Sequence, residues 1–316
     1  MNPLYPLIIV GAGPAGYTAG LYAARGGLEA LLVGLPGGTG ITTDWVENYP
    51  ALLEGISGFD LVDRMRQQAE TAGLQAKMAE VSRISLIGEV FSLETGAGPF
   101  TASSVIMATG AFPALLGVPG EVEFRGKGVS YCATCDGPLF RGKHLIVVGG
   151  GDSAVQEAIF LAKIASQVTL VHRRGKLRAA QCLQDLAFRT DNLSFAWNSI
   201  LLRIEGTNHV QSVVLKDTIS GREHTLEMDG VFPYVGLRPN SELVSHLVSL
   251  DSIGAILTDE QMATSAPGLF AAGDVRSTSL RQYITACADG AIATMSAIYF
   301  LQRHGLQYTG SSINPV

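Results

Sequence analysis

The sequence predicts an α/β protein with two three-layer domains, each built around parallel strands and helices. Two observations predict this fold. A G-x-G-x-x-G motif at 11–16 follows the apolar run Leu7–Val10, and a G-x-G-x-x-A motif at 149–154 follows the apolar run His144–Val148. Each motif precedes a predicted helix, so its backbone N–H groups can reach a pyrophosphate. The chain therefore contains two Rossmann-like dinucleotide-binding domains.

Composition narrows the possible functions. The chain has 316 residues, of which 47% are hydrophobic and 16% charged, and its net charge is −6. This balance argues against nucleic acid as the main partner. Residues 4–24 carry no charge, but prolines and glycines interrupt them and no basic segment precedes them. They predict a strand, turn and helix in place of a membrane span or signal peptide, and the cytoplasm is the expected compartment.

The first domain begins with the strand at Leu7–Val10, the first glycine motif and a helix at Tyr17–Arg25. A second strand is predicted at Ala30–Val33. Gly34 stands where an acidic residue usually binds the ribose in this kind of domain.

A polar, glycine-rich loop at 37–43 comes next, and Val46–Pro50 ends it. The loop is either an ordinary surface loop or a lid over a flavin, with hydroxyl and amide groups for the polar edge of the ring. Phe59–Ala72 is a predicted amphipathic helix, and strand-like segments follow at 80–94.

Val105–Ala108 is a predicted buried strand that stops at Thr109 and Gly110, where the backbone can approach a ligand. Pro113, Gly117, Pro119 and Gly120 then form a turn-rich crossing that is a candidate domain boundary.

The second domain repeats the pattern with a helix at Val155–Lys163 and a strand at Val168–Val171. The strand ends in His172, Arg173 and Arg174, and Arg178 follows one helical turn later. Arginines in place of the ribose-binding acid accommodate a 2′-phosphate, which favours NADPH over NADH. The alternative is a solvated basic cluster.

Residues 193–235 predict mixed β-structure, and 231–236 is a second strand that stops at a glycine. A short strand at 268–274 ends in Gly273 and Asp274, an aspartate that can hold a sugar hydroxyl of FAD or simply cap a turn. Arg281 and Gln282 open a predicted helix that runs through Leu301.

Cys132 and Cys135 form a C-x-x-C pair, and Asp136 follows the second cysteine. Such a pair can open and close a disulfide, with the adjacent acid as proton donor. The alternative is that the pair forms half of a zinc site. The other two cysteines, Cys182 and Cys287, lie far apart in the sequence and form no second pair of this kind, which argues against zinc. Four cysteines in a chain of this length do not suggest a structural disulfide framework.

The order of these motifs resembles low-molecular-weight thioredoxin reductase over nearly the whole chain. The resemblance implies an FAD domain interrupted by an NADPH domain, with bounds 1–113, 114–240 and 241–316. It implies electron flow from NADPH through FAD to the C-x-x-C pair and then to a thioredoxin-like protein disulfide. It also implies a homodimer that rotates its domains, with no nucleic-acid or membrane partner.

The resemblance also assigns residues. Cys135 matches the sulfur facing the flavin, Cys132 the sulfur attacking thioredoxin, and Asp136 the proton donor. The residues expected to bind FAD are Gly11, Gly13, Pro14, Ala15, Gly16, Thr39, Gly40, Thr42, Thr43, Asn48, Ala108, Thr109, Gly110, Gly273, Asp274, Arg281 and Gln282. The residues expected to bind NADPH or another nucleotide are Gly149, Gly151, Asp152, Ser153, Ala154, His172, Arg173, Arg174 and Arg178.

Several residues depart from the family pattern. Thr39 stands where family members usually have a glutamine beside the flavin, and Trp45 stands where a carboxylate is common. Gly175 and Lys176 stand where an acidic residue usually follows the arginines. The resemblance also implies that the tail bearing Tyr308 can reach a flavin face, as tails do in relatives that use other electron donors. Three alternatives therefore stay open: ferredoxin as the donor, a second FAD in the NADPH site with reversed flow, and a flavin redox sensor that does not turn over.

Overall fold

The computed structural model describes residues 3–36, 40–41, 46, 48–131 and 133–305, with backbone only at 134 and 135. The described chain divides into two compact units, Met1–Phe112 with Arg238–Val316, and Pro113–Leu237. The predicted sites at Thr39, Thr42, Thr43 and Cys132, like Trp45 and Tyr308, lie outside the described residues.

The first unit is a three-layer α/β fold with a mixed seven-stranded sheet. Its main strand order is β3 (Gln75–Lys77), β2 (Ala30–Pro36), β1 (Leu4–Ala12), β6 (Phe100–Met107), β5 (Val90–Thr95) and β4 (Val81–Ile87), and β16 (Leu269–Ala271) also pairs with β6. Strands β3, β2, β1, β6 and β16 pair in parallel, whereas β4 and β5 are antiparallel. The elements in chain order are β1 (Leu4–Ala12), α1 (Pro14–Arg25), β2 (Ala30–Pro36), α2 (Gly58–Thr71), β3 (Gln75–Lys77), β4 (Val81–Ile87), β5 (Val90–Thr95), β6 (Phe100–Met107), β7 (Ala111–Pro113), β15 (Leu237–Pro239), β16 (Leu269–Ala271) and α6 (Tyr283–Arg303).

Strand β1 shows why the first unit has three layers. Its residues alternate between two faces, as in any strand. Leu7 and Ile9 join one hydrophobic core, and Ile8 and Val10 join the core on the other face of the sheet. A parallel strand covered on both faces is apolar throughout, so its sequence reads as a continuous hydrophobic run.

Helices α1 and α6 pack closely on one face of this sheet. A β-carbon at Gly290 would lie 2.2 Å from the Ala15 carbonyl oxygen, so glycine permits the contact. The Thr294 hydroxyl donates to the Ala19 carbonyl at 3.0 Å. By length and composition α6 is also apolar enough to cross a membrane. Its buried residues belong to the core that contains α1, whereas Ile284, Ile292 and Tyr299 are exposed.

The second unit places a parallel sheet between helices and a smaller antiparallel sheet. The parallel sheet has the order β10 (Leu193–Trp197), β9 (Gln167–His172), β8 (His144–Gly149), β14 (Gly230–Tyr234). The antiparallel sheet has the order β11 (Ser199–Gly206), β12 (Val210–Asp217), β13 (Glu223–Glu227). The elements in chain order are α3 (Ala133–Asp136), β8 (His144–Gly149), α4 (Asp152–Ala162), β9 (Gln167–His172), α5 (Gln181–Phe188), β10 (Leu193–Trp197), β11 (Ser199–Gly206), β12 (Val210–Asp217), β13 (Glu223–Glu227) and β14 (Gly230–Tyr234).

Strand β8 divides its side chains between two cores in the same way. Leu145 and Val147 join the core that contains α4, and Ile146 and Val148 join the core that contains the antiparallel sheet. The predicted α/β class with parallel sheets is confirmed. Both glycine-motif helices begin three residues earlier than predicted, at Pro14 and Asp152, because the motif itself forms their first turn.

Candidate nucleotide and disulfide sites

The first glycine motif lies where β1 passes into α1. Gly11 has φ +118°, and a β-carbon there would lie 2.3 Å from the Ala108 carbonyl oxygen at the end of β6. A β-carbon at Gly16 would lie 1.9 Å from the Gly11 carbonyl oxygen. Glycine is therefore required at both positions for the strand ends and the helix to pack together.

The beginning of α1 can receive a phosphate. Pro14 occupies the first turn of the helix, and no side chain caps it at Gly13. Apart from Gly13 and its two chain neighbours, no described residue has an atom within 4 Å of the position that a β-carbon on Gly13 would take. Ala15, next in the turn, is buried. The free N–H groups and the positive end of the helix dipole thus face open space, which suits a pyrophosphate.

The segment Ala108–Gly110 is held beside this motif. The Ala108 amide donates to the Val10 carbonyl at 2.7 Å, and the Thr109 hydroxyl donates to the Asn240 carbonyl at 2.7 Å. The Asn240 amide donates back to the Gly110 carbonyl at 2.9 Å. Gly110 has φ +68°, a conformation that favours glycine.

Gly273 and Asp274 lie next to the start of α1. A β-carbon on Gly273 would lie 3.1 Å from the Ala15 β-carbon, and the Gly273 amide donates to the Asp289 carboxylate at 3.1 Å. Arg276 pairs with the same carboxylate at 3.1 Å. Burial raises the pKa of Asp274. The positive charge of Arg281 lowers this pKa, and the negative charge of Asp289 raises it further. The sequence did not point to Asp289, because only the fold brings it to this turn.

Gly40, Asn48 and the beginning of α6 meet near the same motif. The Tyr283 hydroxyl donates to the Gly40 carbonyl at 2.5 Å, and the Asn48 side chain donates to Gln282 Oε1 at 2.8 Å. In the described part of the chain, the buried Nε of Arg281 has no hydrogen-bond partner. Such a donor fits a site that a polar ligand completes.

The second glycine motif has an equally tight backbone. A β-carbon at Gly149 would lie 2.4 Å from the Tyr234 carbonyl oxygen and 2.5 Å from the Ala154 β-carbon. Helix α4 begins at Asp152, and no side chain caps it at Gly151. The position of a Gly151 β-carbon is open except for Arg178 Nη2 at 4.0 Å. This helix end can also receive a phosphate.

The basic turn after β9 lies against this motif. A β-carbon on Gly150 would lie 2.3 Å from the His172 ring, and the Arg178 amide donates to the Gly150 carbonyl at 2.7 Å. Burial and then Arg178 lower the pKa of His172, and its Nε2 atom has no hydrogen-bond partner among the described residues. Arg173 and Arg174 are exposed.

Asp152 and Ser153 occupy the first turn of α4. The Asp152 carboxylate accepts a hydrogen bond from the Ala180 amide at 2.7 Å, which ties the chain after the basic turn to the start of the helix. Ser153 is exposed on the same turn.

The disulfide segment packs on α4 within the second unit. The described backbone places Cys135 in α3, and Asp136, partly buried, ends that helix. A β-carbon on Gly137 would lie 3.1 Å from a methyl group of Leu161 on α4. The helix that begins at the second glycine motif therefore also supports the C-x-x-C segment.

Two tyrosines anchor the residues that precede and follow Cys132 in the sequence. Tyr131 donates to the buried Glu121 carboxylate at 2.7 Å, which also accepts from two backbone amides, those of Leu116 and Gly117. On the other side, the Ala133 amide donates to the Tyr234 hydroxyl at 2.8 Å. Among the described residues, no group of three or more His, Cys, Asp and Glu side chains is arranged to hold a metal ion.

Comparison with known proteins identifies the family. The family model for pyridine nucleotide-disulphide oxidoreductases matches residues 5–290. The chain belongs to this family. A thioredoxin reductase of Treponema pallidum is 44% identical over 95% of this chain and 98% of its own length. A thioredoxin reductase of Listeria innocua is 45% identical over 95% of this chain and 94% of its own length.

A solved family structure has the same fold. The crystal structure of Lactococcus lactis thioredoxin reductase matches with a TM-score of 0.89 and 42% identity, over 95% of this chain and 99% of that one. The resemblance predicted from the order of the motifs is confirmed.

Proposed function

We propose that this oxidoreductase is a flavin-dependent thioredoxin reductase that uses NADPH. The observation that carries the proposal is the position of the disulfide segment, which packs on α4, the helix that begins at the second glycine motif. Near-full-length identity of 44–45% to thioredoxin reductases supports the same function.

The first unit is the proposed FAD site. Uncapped N–H groups at the start of α1 suit the pyrophosphate, and Gly110 and Asp274 lie at strand ends beside it. The Nε of Arg281, which has no hydrogen-bond partner among the described residues, is a donor for a polar group of the cofactor. These features fit FAD, which when bound takes two electrons from NADPH and supplies them to the disulfide.

The second unit is the proposed NADPH domain, inserted as residues 114–240 between the two parts of the FAD domain, 1–113 and 241–316. The compact unit Pro113–Leu237 supports this division. The start of α4 suits the pyrophosphate, and Arg178 is close enough to contact a neighbouring phosphate. We assign the 2′-phosphate to Arg173 and Arg174, whose exposed guanidinium groups are available to bind it.

Cys132, Cys135 and Asp136 carry the disulfide chemistry in this proposal. Cys135 receives the electrons, and the Cys132 thiolate attacks the thioredoxin disulfide. Asp136 donates a proton as the mixed disulfide resolves. Hydrogen bonds from Tyr131 to Glu121 and from Ala133 to Tyr234 hold the residues that precede and follow Cys132 in the sequence. We also propose that the enzyme is a cytoplasmic homodimer.

A turnover assay tests the proposal. A catalytic amount of the protein is mixed with excess NADPH and oxidised thioredoxin, and NADPH loss is recorded at 340 nm. A thioredoxin reductase consumes many equivalents of NADPH per chain. Consumption that stops after the flavin and disulfide are reduced would identify a redox sensor, and no consumption with NADPH but turnover with reduced ferredoxin would identify another donor.

A further inference from the structure

Gly40, in the glycine-rich loop after β2, lies where three helices of the first unit meet. A β-carbon there would lie 3.3 Å from Val62 of α2, 3.5 Å from the Tyr283 ring of α6 and 3.6 Å from Pro14 of α1. Pro14 occupies the first turn of the helix that begins at the first glycine motif. The backbone at Gly40 is therefore beside the proposed pyrophosphate site.

Tyr283 holds the Gly40 backbone from the beginning of α6. Its hydroxyl donates to the Gly40 carbonyl at 2.5 Å. Its half-buried ring packs against the core that contains α1 and against the smaller core of Val46, Ile56 and Leu61. A capping box also fixes the first turn of the helix that carries this tyrosine. The hydroxyl is therefore presented by a side chain whose ring and backbone are both held in place.

Two other contacts join nearby residues of the same loop region to α6. The Asn48 side chain donates to Gln282 Oε1 at 2.8 Å. The Tyr49 hydroxyl contacts the Cys287 sulfur at 3.9 Å, and that sulfur contacts the Pro14 carbonyl oxygen at 3.9 Å. Burial raises the pKa of the Cys287 thiol, so the thiol keeps the proton that it directs to Pro14. The beginning of α6 therefore contacts this part of the chain at several points.

We propose that Tyr283 is a positioning residue for FAD: its hydroxyl fixes the Gly40 carbonyl, and this contact keeps the loop in the position that binds the cofactor. The inference rests on the proposed function. The trans peptide that joins Gly40 to Ile41 is planar, so its N–H points to the side opposite its carbonyl. Holding the carbonyl therefore also fixes the direction of the Ile41 N–H, a donor that an oxygen of the cofactor can use.

The alternative role of Tyr283 is to fill the core of Val46, Ile56 and Leu61. The ring serves that role, whereas the hydroxyl serves the proposed one. Tyr283→Phe separates the two roles, because it keeps the ring and removes the donor to Gly40. A neutral hydrogen bond of ordinary strength changes the population of a held loop by about three- to tenfold. Because FAD leaves when the loop is displaced, its release should accelerate by this factor.

The test follows FAD release from the purified holoenzyme. Each protein is diluted, and the rise of free-flavin fluorescence is recorded with time. Tyr283→Phe should release FAD about three- to tenfold faster than the wild type. Hydrogen exchange, measured by mass spectrometry, should be faster in the peptide that contains Gly40 and Ile41 and unchanged in β5 of the same unit.

Two control variants and a turnover assay complete the test. Tyr299→Phe removes an exposed hydroxyl from the same helix and should match the wild type in release and exchange. Tyr49→Phe removes the contact of 3.9 Å to the Cys287 sulfur, which is weaker than the bond of 2.5 Å made by Tyr283, so release should accelerate less than about twofold. With excess FAD in the assay, thioredoxin turnover by Tyr283→Phe should equal that of the wild type.

Equal rates of FAD release in the wild type and Tyr283→Phe would overturn the inference, as would an equal acceleration in Tyr299→Phe. A larger acceleration in Tyr49→Phe would assign the hold to the sulfur contact, and turnover that stays low with excess FAD would assign Tyr283 to another role. Each of these results also overturns the inference. A wild type that holds no FAD or fails to reduce thioredoxin refutes the proposed function. A wild type that does both but releases FAD as fast as Tyr283→Phe refutes this inference alone.

Discussion

The two exposed arginines after His172 provide the sharpest test of the electron donor. Changing Arg173 and Arg174 together to Ala removes the positive charge assigned to the 2′-phosphate of NADPH. His172 itself remains against Gly150, and the Arg178 amide keeps its bond to the Gly150 carbonyl. The pyrophosphate site at α4 is therefore preserved, and only discrimination between NADPH and NADH should change.

The expected magnitude follows from the exposure of these side chains. A hydrogen bond to a charged group contributes roughly 1.5–3 kcal/mol. Solvent screens both arginines, so the lower end of this range applies. Because about 1.4 kcal/mol is a factor of ten, the NADPH concentration for half-maximal rate should rise at least about tenfold. The value for NADH should barely change, and high salt should reduce the difference between variant and wild type.

Rapid mixing measures this effect on the flavin itself. Oxidised protein is mixed anaerobically with NADPH and, separately, with NADH, and bleaching is recorded near 450 nm. Lys176→Ala is the matched control, since it removes an exposed cation from the same turn. An equal loss in Lys176→Ala, or an equal loss with both nucleotides, would show that the arginines act through general charge and do not bind a 2′-phosphate.

Four other predictions concern the disulfide residues, the Glu157 carboxyl of α4 and the Asp289 contacts in the first unit. The Cys135→Ser variant should bind flavin but lose disulfide reduction, and the Cys132→Ser variant should leave a thiolate beside the flavin. If the variant with both substitutions still reduced thioredoxin, the assignment of Cys132 and Cys135 as the redox pair would be wrong. Asp136→Asn should slow thioredoxin turnover with flavin reduction little changed; turnover unaltered across pH would reduce this residue to a helix cap. The pKa of Glu157 rises from 4.5 to about 7 on folding, so the folded state binds more protons than the unfolded state between pH 4.5 and 7. The free energy of unfolding should therefore fall by up to about 3 kcal/mol as the pH rises through this range. Urea titrations of the wild type and Glu157→Gln should show this fall only in the wild type. Asp289→Asn removes the charged acceptor of a backbone amide and a guanidinium, so it should cost roughly 1.5–3 kcal/mol of stability in thermal or urea unfolding and weaken FAD retention, and unchanged stability would contradict the contact.

The sequence predicts the two domains well because their signal is local. Each apolar strand, glycine turn and helix occupies fewer than about thirty consecutive residues, and the glycines are required by contacts within the same unit. Gly34 illustrates a limit of this reasoning. It occupies the usual place of a ribose-binding acid, but it lies inside β2, where a β-carbon would be 2.9 Å from the Ala12 nitrogen. Close packing of adjacent strands accounts for this glycine.

The supports of the site could not be predicted because they join distant parts of the chain. Tyr234 reaches Ala133 across 101 residues, and Tyr283 reaches Gly40 across 243. Neither tyrosine belongs to a motif with its partner. The short helices α3 and α5 were also missed, since α3 has 4 residues and α5 has 8, too few for a clear helical period. Glu157 gave no signal in the sequence, because its burial depends on the packing of α4.

Anaerobic titration with NADPH, combined with mass spectrometry of the extracted cofactor, tests the central claim most directly. The account predicts one FAD per chain and full reduction at about two equivalents of NADPH, one for the flavin and one for the two-electron disulfide. The second equivalent should disappear when both Cys132 and Cys135 are changed to Ser. No bleaching by NADPH, together with more than one flavin per chain, would contradict the account and assign a different donor to this enzyme.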